Sequence, residues 1–478
     1  MGLLNFFKKS PQKPQKRFYT GANRGNLSAS WTTSSLSADN EIRQSISLLR
    51  ARARDLVRNN AHAQKYINLL KQNVIGTGIK LQNKAQDDNK TLDKYANDLI
   101  EQWWSDFCKV GNCDVTQTLD FAELQKLILA SVATDGEVFI RVVKNYDNKH
   151  KFALQLIESD LLDENYNDQQ LNITMGIERD SWGKVVAYHL YKSHPYDYMQ
   201  QSLRERVRIS ADEIIHLYKK ERPSQSRGVT WFHSVMGNLK MYDGFAEASL
   251  VEKRLTASKM GFYKRPQGEE YYGDNIDEAG NIINEATPAQ FEILPEGWDF
   301  QAFDPKSGND NFVDFGKAIL RNISSGLNVS YSSLASDLEG VNYSSIRAGL
   351  LDERDAYKSL QSWFIEHFMK VVFSQWIETQ LVYQNISLPL SKLSKFNNPM
   401  FIGRGFAWVD PQKDVKANTE AIANGLKTAT QVLSEQGLDV EEVYQQLAKE
   451  KELRVKYKID TQTDINLQGK NNEIKKPV

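Results

Sequence analysis

Cysteine is nearly absent from this sequence: Cys108 and Cys113 are the two in 478 residues. Two thiols cannot build a disulfide framework, and with no Cys or His partner nearby they lack the ligands for a structural zinc, so a reducing, cytosolic setting is expected. Long apolar runs are missing as well. The best stretch, 127–143, is broken by Thr134, Asp135, Gly136, Glu137 and Arg141, and a membrane helix needs roughly 18 to 20 uninterrupted residues. No signal peptide is expected, and the Met1–Phe7 start fails the myristoylation pattern because Phe6 stands where Ser or Thr is required. The third absence is an excess of one charge. Sixty Lys and Arg oppose 61 Asp and Glu, a formal charge of −1, whereas a protein that grips nucleic acid usually carries a strong basic excess.

Catalytic motifs are missing too. There is no G-x-x-x-x-G-K-[ST] loop for a nucleoside triphosphate, and Gly76-Thr77-Gly78 fails the dinucleotide pattern because position 81 is Leu. Neither G-x-S-x-G nor H-E-x-x-H occurs. The seven histidines are scattered, and only His189 and His194 lie close in sequence. Asp135-Gly136-Glu137 reads as a turn between helix and strand, with Glu137 pointing outward, rather than as paired catalytic carboxylates. The thiols read as buried and reduced. Nothing here calls for a cofactor or a metal, and no enzymatic activity is expected.

What is present is a long chain with 40% hydrophobic residues, enough to build substantial cores. The first 38 residues hold six bases and no acid and read as a flexible basic arm, with Trp31 as a docking contact. From Glu41 the spacing is helical, with a break predicted at Asn59 and Asn60. The segment 74–79 reads as a strand with a glycine kink. A helix follows with Leu92, Tyr95, Leu99, Trp103 and Phe107 on one face. Asp120 and Glu123 stand in capping-box spacing at the head of the next. The period then changes to two. Strands are predicted over 137–143 and 152–157, a hairpin over 175–191, and a last strand ending at Tyr218.

Beyond 229 the pattern is helical to about residue 258, with three bases matched by three acids. The excursion 261–304 is the most acidic part of the chain, with ten acids and two bases. A helix is predicted over 311–327, then a polar loop to Asn342, then a long helical run over 343–380. Asp410-Pro411 has the N-cap and first-turn pattern of a further helix. The pairs Trp103-Trp104, Trp231-Phe232 and Trp363-Phe364 could stack on single-stranded nucleic acid. Each has one member on the apolar stripe, which favours core or interface packing.

The order of these elements resembles the lambda-like portal protein family of tailed bacteriophages. The resemblance runs from Arg50 to Glu450 and is carried by Arg58-Asn59-Asn60, Asn73-Val74-Ile75-Gly76-Thr77-Gly78-Ile79, Cys113-Asp114-Val115 and Asp135-Gly136-Glu137-Val138-Phe139. Further along it is carried by Gly176-Ile177-Glu178 with Ala187-Tyr188-His189, Ile214-Ile215-His216-Leu217, the run Arg222 to Val229, Asn342 to Arg347, and Trp408-Val409-Asp410-Pro411. It implies a mainly helical α+β portal fold and a homo-oligomeric ring, typically of twelve subunits, at one capsid vertex. Its parts would be an arm (1–40), a wing (41–228), a first stem helix (229–260), a clip (261–305) and a second stem helix (306–328). A tunnel loop (329–342), a long helix returning to the wing (343–405), a crown (406–458) and a polar tail (459–478) would follow.

Double-stranded DNA would pass without sequence specificity during packaging, retention and ejection. The terminase large subunit, the major capsid protein and head-tail connector proteins would dock outside, with no membrane involved. The ring would be assembled in the bacterial cytoplasm and reside in the virion. The residues expected at the channel are Lys317, Arg321, Tyr331, Ser332, Ser333, Ser336, Asp337 and Asn342. Lys317 and Arg321 either approach DNA or pair with a neighbouring subunit. Glu269, Glu270, Asp274, Asp277 and Glu278 are expected at the partner-docking clip. The alternatives are a packaging-associated nuclease or ATPase subunit, or a non-conducting head-tail adaptor.

Overall fold

The computed structural model describes residues 30, 32–33, 35–197, 205–257, 261–264, 299–302, 312–340, 342–406, 410–438 and 440–457. Most of the basic arm, and with it Trp31, lies outside the described residues, but its end is fixed. The short helix Ala38–Arg43 begins there, and Asp39 accepts a hydrogen bond from the Ser226 amide at 2.8 Å.

Helices Ile46–Asn59 and Ala61–Leu70 are separated where the sequence predicts. Asn60 leaves helical geometry, and its side-chain oxygen caps the second helix by accepting from Ala63 N. The same side chain donates to both oxygens of Asp243 at 2.9 Å, so the break is also a tie to a distant helix. The strand expected over 74–79 does not form. Lys71–Ile75 is a π turn closed by Gly76 at φ +64°, and the strand is Lys80–Asn83, paired antiparallel with Pro399–Ile402. Val74 and Ile75 are completely buried in the helical core, and that packing overrides their β-branched preference.

In helix Lys94–Phe107 the expected face keeps Phe107 buried but is otherwise rotated. Tyr95 is 68% exposed while Ala96, Ile100 and Trp104 are buried, a shift of one residue and so about 100°. Trp104 is held by neighbours remote in sequence, with ring contacts to Phe121, Phe373 and Trp376 at 5.0–5.5 Å. Phe232 and Phe364 are likewise fully buried. Core packing therefore accounts for one member of each aromatic pair.

Helix Phe121–Asp135 opens on the predicted capping box and stops at Gly136, whose φ of +94° suits a residue without Cβ. Strand Glu137–Lys144 then forms the centre of a three-stranded antiparallel sheet, between Phe152–Ile157 and Ile214–Tyr218. Period-two alternation gives the sheet two apolar faces. Val138, Ile140, Val142, Leu154, Ile215 and Leu217 join the main helical core. Phe139, Ile157 and Ile214 face a second core shared with Ile177, Tyr188, Leu190 and Ile209 of a four-stranded sheet. That sheet contains the predicted hairpin, Ile177–Arg179 with Val185–Tyr191.

The long helix begins at Met236, later than predicted: residues 228–230 pass close to Gly136 in non-helical backbone, and 231–235 are turns. Helix Phe312–Leu327 lies antiparallel to it: Asn238 bonds Asn322 at 2.8 Å, while Phe245, further along, meets Phe312 and Phe315 at 5.2 Å. Between them, strands Gly261–Lys264 and Asp299–Ala302 pair antiparallel. Glu269, Glu270, Asp274, Asp277 and Glu278 lie outside the described residues.

The polar loop is not entirely loop, since Tyr331–Ala335 is a helical turn capped by Ser330. The long run is continuous as expected: helix Tyr343–Phe364, a π turn Ile365–Met369, and helix Lys370–Val382. Asp410 caps helix Pro411–Ala423 by accepting from Lys413 N, and helices Ala429–Glu435 and Val440–Tyr457 follow. No described helix is long and apolar enough to cross a membrane.

Candidate functional site

Two polar centres organise the molecule, and sequence reading found only one of them. The one it missed is built on Glu137. The expectation that this side chain points outward is overturned: Glu137 is completely buried at the sheet start. Its Oε1 accepts from Arg227 Nε at 2.8 Å and, more loosely, from Arg50 Nη2 at 3.4 Å. Its Oε2 accepts from Gly228 N at 2.9 Å and lies 3.0 Å from His216 Nε2.

Burial works to raise the Glu137 carboxyl, but the Arg227 charge and the His216 and Arg227 hydrogen bonds outweigh it and hold it well below the usual carboxylate range. Burial pushes His216 the other way, toward the neutral imidazole, which sits between the rings of Phe139 and Tyr218 at 4.3 and 4.4 Å. The node is structural in form. Every oxygen of the carboxylate is engaged, leaving none to act on a substrate.

Beside it, the two glycines of the matching segments cross. A Cβ on Gly228 would lie 2.1 Å from Gly136 O, and one on Gly136 would lie 2.5 Å from the Val229 carbonyl carbon. Trp231 N and Thr230 Oγ1 both donate to Ala133 O, at 3.0 and 3.2 Å. Asp135-Gly136-Glu137 and Arg227-Gly228-Val229 are thus two halves of one joint.

The second centre gathers four of the expected channel residues. Lys317, on helix Phe312–Leu327, reaches Glu339 at 2.7 Å and Asp337 at 3.7 Å. The Tyr331 hydroxyl donates to Asp337 Oδ2 at 2.7 Å, and Arg321 lies 5.5 Å from the Tyr331 ring. The Tyr331 hydrogen bond, with one from Glu339 N, holds the Asp337 carboxyl below its ordinary range, and the Glu339 bond raises Lys317. Two bases and two acids balance here. Within the chain the partners of Lys317 are Asp337 and Glu339.

The remaining expected residues shape the loop. Ser333 and Ser330 donate to Glu353 Oε2 at 2.7 and 2.9 Å, and Ser332 lies 3.2 Å from Ser330. Ser336 ends the helical turn in left-handed geometry, and Asn342 caps helix Tyr343–Phe364 by accepting from Ser345 N. Glu353 escaped the sequence reading. It is 5% exposed and also accepts from Tyr357 at 2.6 Å. The signal was available as an acid on the apolar side of a helix, one turn before a tyrosine.

His189 and His194 do not converge: His189 pairs with Glu178 at 3.1 Å, while His194 lies 3.5 Å from Glu158 and 3.9 Å from Asp160. Asp160 is also held by Arg50 at 2.9 Å and Arg54 at 2.6 Å. Burial raises the thiols of both Cys108 and Cys113, the latter to about 12, so neither is a ready nucleophile.

The family model described as phage portal protein, lambda family, matches residues 24–361. A probable portal protein of Halomonas phage phiHAP-1 is 36% identical, covering 91% of this chain and 86% of its own length. Portal protein B of Escherichia phage lambda is 22% identical, covering 90% and 88%. Among solved structures, a chain of the neck of a native gene transfer agent particle superposes with a TM-score of 0.46 at 12% identity, covering 83% of this chain and 94% of that one. The extent of the family match and the identity to the Halomonas phage protein together establish that the chain belongs to the lambda family of phage portal proteins.

Proposed function

We propose that copies of this chain close into a ring, of twelve in the manner its family implies, at one vertex of a phage capsid. Double-stranded DNA would pass through during packaging, be retained, and later be ejected. The observation that carries this reading is the balanced cluster of Lys317, Arg321, Asp337 and Glu339 at the junction of a long helix and the loop beyond it. Each phosphate neutralised by a free base adds affinity and therefore drag. Where the proposed tunnel loop meets a sliding polyanion, contacts whose charge is already matched keep that drag low.

In this reading 229–260 and 306–328 are the stem, 261–305 the clip, 329–342 the tunnel loop, 41–228 with 343–405 the wing, and 406–458 the crown. Met241, Leu250, Val251, Val313 and Phe315 stand 47–74% exposed on the two packed helices, an apolar surface that a neighbouring copy would cover. The acidic clip would face the terminase large subunit, whose ATPase supplies the work, and later the head-tail connector proteins. The wing would meet the major capsid protein. Assembly would take place in the host cytoplasm and the product would reside in the virion.

Negative-stain imaging with light scattering tests the ring. Closed rings with a central hole are expected, and a chain that stays at 54.7 kDa across salt and concentration overturns the proposal.

A further inference from the structure

A cavity of about 270 Å³ opens between helix Tyr343–Phe364 and the C-terminal helices. Four bases line it, Arg347, Arg354, Lys358 and Lys427, against three acids, Asp355, Asp414 and Glu435. Each acid is taken by one lining base. Arg347 lies 3.2 Å from Asp414, Lys358 3.8 Å from Asp355, and Lys427 2.9 Å from Glu435. Arg354 is left over, with no carboxylate among the described residues paired to its guanidinium.

A second uncompensated charge adjoins it. Arg354 lies 5.4 Å from the Phe406 ring and Arg404 lies 5.5 Å from the same ring. Arg404 is held by the Gln72 carbonyl and the Asn73 side chain rather than by an acid. Burial, followed by the Arg404 charge, lowers the Arg354 pKa, the opposite of what an ion-paired arginine shows. Asp414, whose charge reaches Arg354, is already paired with Arg347 at 3.2 Å, so two adjacent cations draw on an acid that another arginine holds, and this marks a place prepared for an anion. A planar guanidinium suits a phosphate in particular, since it can donate two parallel hydrogen bonds to phosphate oxygens.

We propose that this cavity binds the phosphodiester backbone of DNA, with Arg354 as the principal donor and Arg404 beside it. The preference for an anion comes from the cavity itself, whereas the choice of DNA rests on the portal reading. Asn418 and Ala417 on helix Pro411–Ala423 form the facing wall, so a bound phosphate would bridge that helix to the one carrying Arg354. Arg354 also follows directly on Glu353, which holds Ser330 and Ser333, so the cavity and the loop address neighbouring positions of one helical turn.

The test is a fluorescence-anisotropy titration of a labelled duplex against the purified full-length chain over a salt series. Arg354→Gln is expected to weaken binding about tenfold, as removal of a charge-assisted pair does, and to reduce the log–log salt slope by about 0.9 for each phosphate it no longer neutralises. Asn418→Asp, which places a carboxylate on the facing wall, is expected to weaken binding in the same direction without touching the arginine.

A second arm compares thermal melts in inorganic phosphate and in chloride at equal ionic strength. If phosphate protects the wild type and not Arg354→Gln while duplex affinity and slope are unchanged, the cavity takes a free anion and the DNA assignment falls. Equal behaviour of wild type and both variants in both arms overturns the pocket. Imaging of the same samples separates the two readings: rings that bind DNA equally well with and without Arg354 sink this proposal alone, and absence of wild-type rings sinks the portal ring.

Discussion

Arg227 Nε donates to Glu137 Oε1 at 2.8 Å across ninety positions of sequence, and both side chains are completely buried. The pair sits where the sheet begins and where the chain turns toward its long helix. Because Arg50 and His216 converge on the same carboxylate, one acid holds elements from three parts of the chain.

Glu137→Gln therefore leaves Arg227 buried without its anion, while Arg50 keeps Asp160 at 2.9 Å. Removing one partner of a buried pair costs on the order of 3–5 kcal/mol. A lowered midpoint in chemical denaturation, or loss of soluble protein, is expected. A midpoint equal to that of the wild type would show that the node contributes nothing.

The glycine crossing makes a sharper steric prediction. Gly228→Ala puts a Cβ 2.1 Å from Gly136 O, whereas Gly183, with φ +85°, has open space around it. Gly183→Ala should cost about 1 kcal/mol, the conformational penalty alone. Gly228→Ala should be far worse, and thermal melts of the two variants side by side decide it.

Acid should weaken the fold in two stages. Burial lowers His216, His150 and His62 below their ordinary value of 6.5, so the unfolded chain binds protons first as pH falls through that range. Stability is therefore full above about pH 7 and declines below it. Glu137, also held low, adds a further loss below the ordinary carboxylate range. Denaturation midpoints measured from pH 8 to pH 4 should fall monotonically, and His216→Phe should flatten the limb between pH 7 and 5.

Glu353→Ala removes the acceptor for Ser330, Ser333 and Tyr357. An unsatisfied buried hydroxyl costs about 1–3 kcal/mol, and Tyr357 is 3% exposed. Protection of the amides of residues 330–336 in hydrogen exchange should fall before global stability does, whereas uniform protection would place the loop's support elsewhere.

Lys317→Gln leaves Asp337 and Glu339 facing one another without their shared cation. The cluster of Lys317, Arg321, Asp337 and Glu339 then carries one more net negative charge per subunit. Packaging should still begin, but the nuclease-protected DNA retained per capsid should fall several-fold. Unchanged retention would argue against the tunnel-loop role proposed for residues 329–342.

Local patterns in the sequence were reliable where the physics is local. The capping box at Asp120 and Glu123, the break at Asn60 and the Asp410-Pro411 helix start all stand as read, because each depends on residues within one turn. The readings that failed depend on distant partners. Nothing near Glu137 announces Arg227, so an acid after Asp-Gly looks like an exposed turn residue. Trp104 rather than Trp103 is buried because Trp376 and Phe373 wait for it. Val74 and Ile75 look like a strand until the helical core closes over them. Four residues expected at the channel do lie together, and what the sequence could not supply was that Lys317 meets acids of its own chain.

At the Gly136–Gly228 crossing the two backbones touch with no side chain between them. There is no slack at that point for a hinge. Load carried along the chain toward the Met236–Ala257 helix meets the three-stranded sheet at this fixed point, and the give between helix and sheet lies in the turns of residues 231–235.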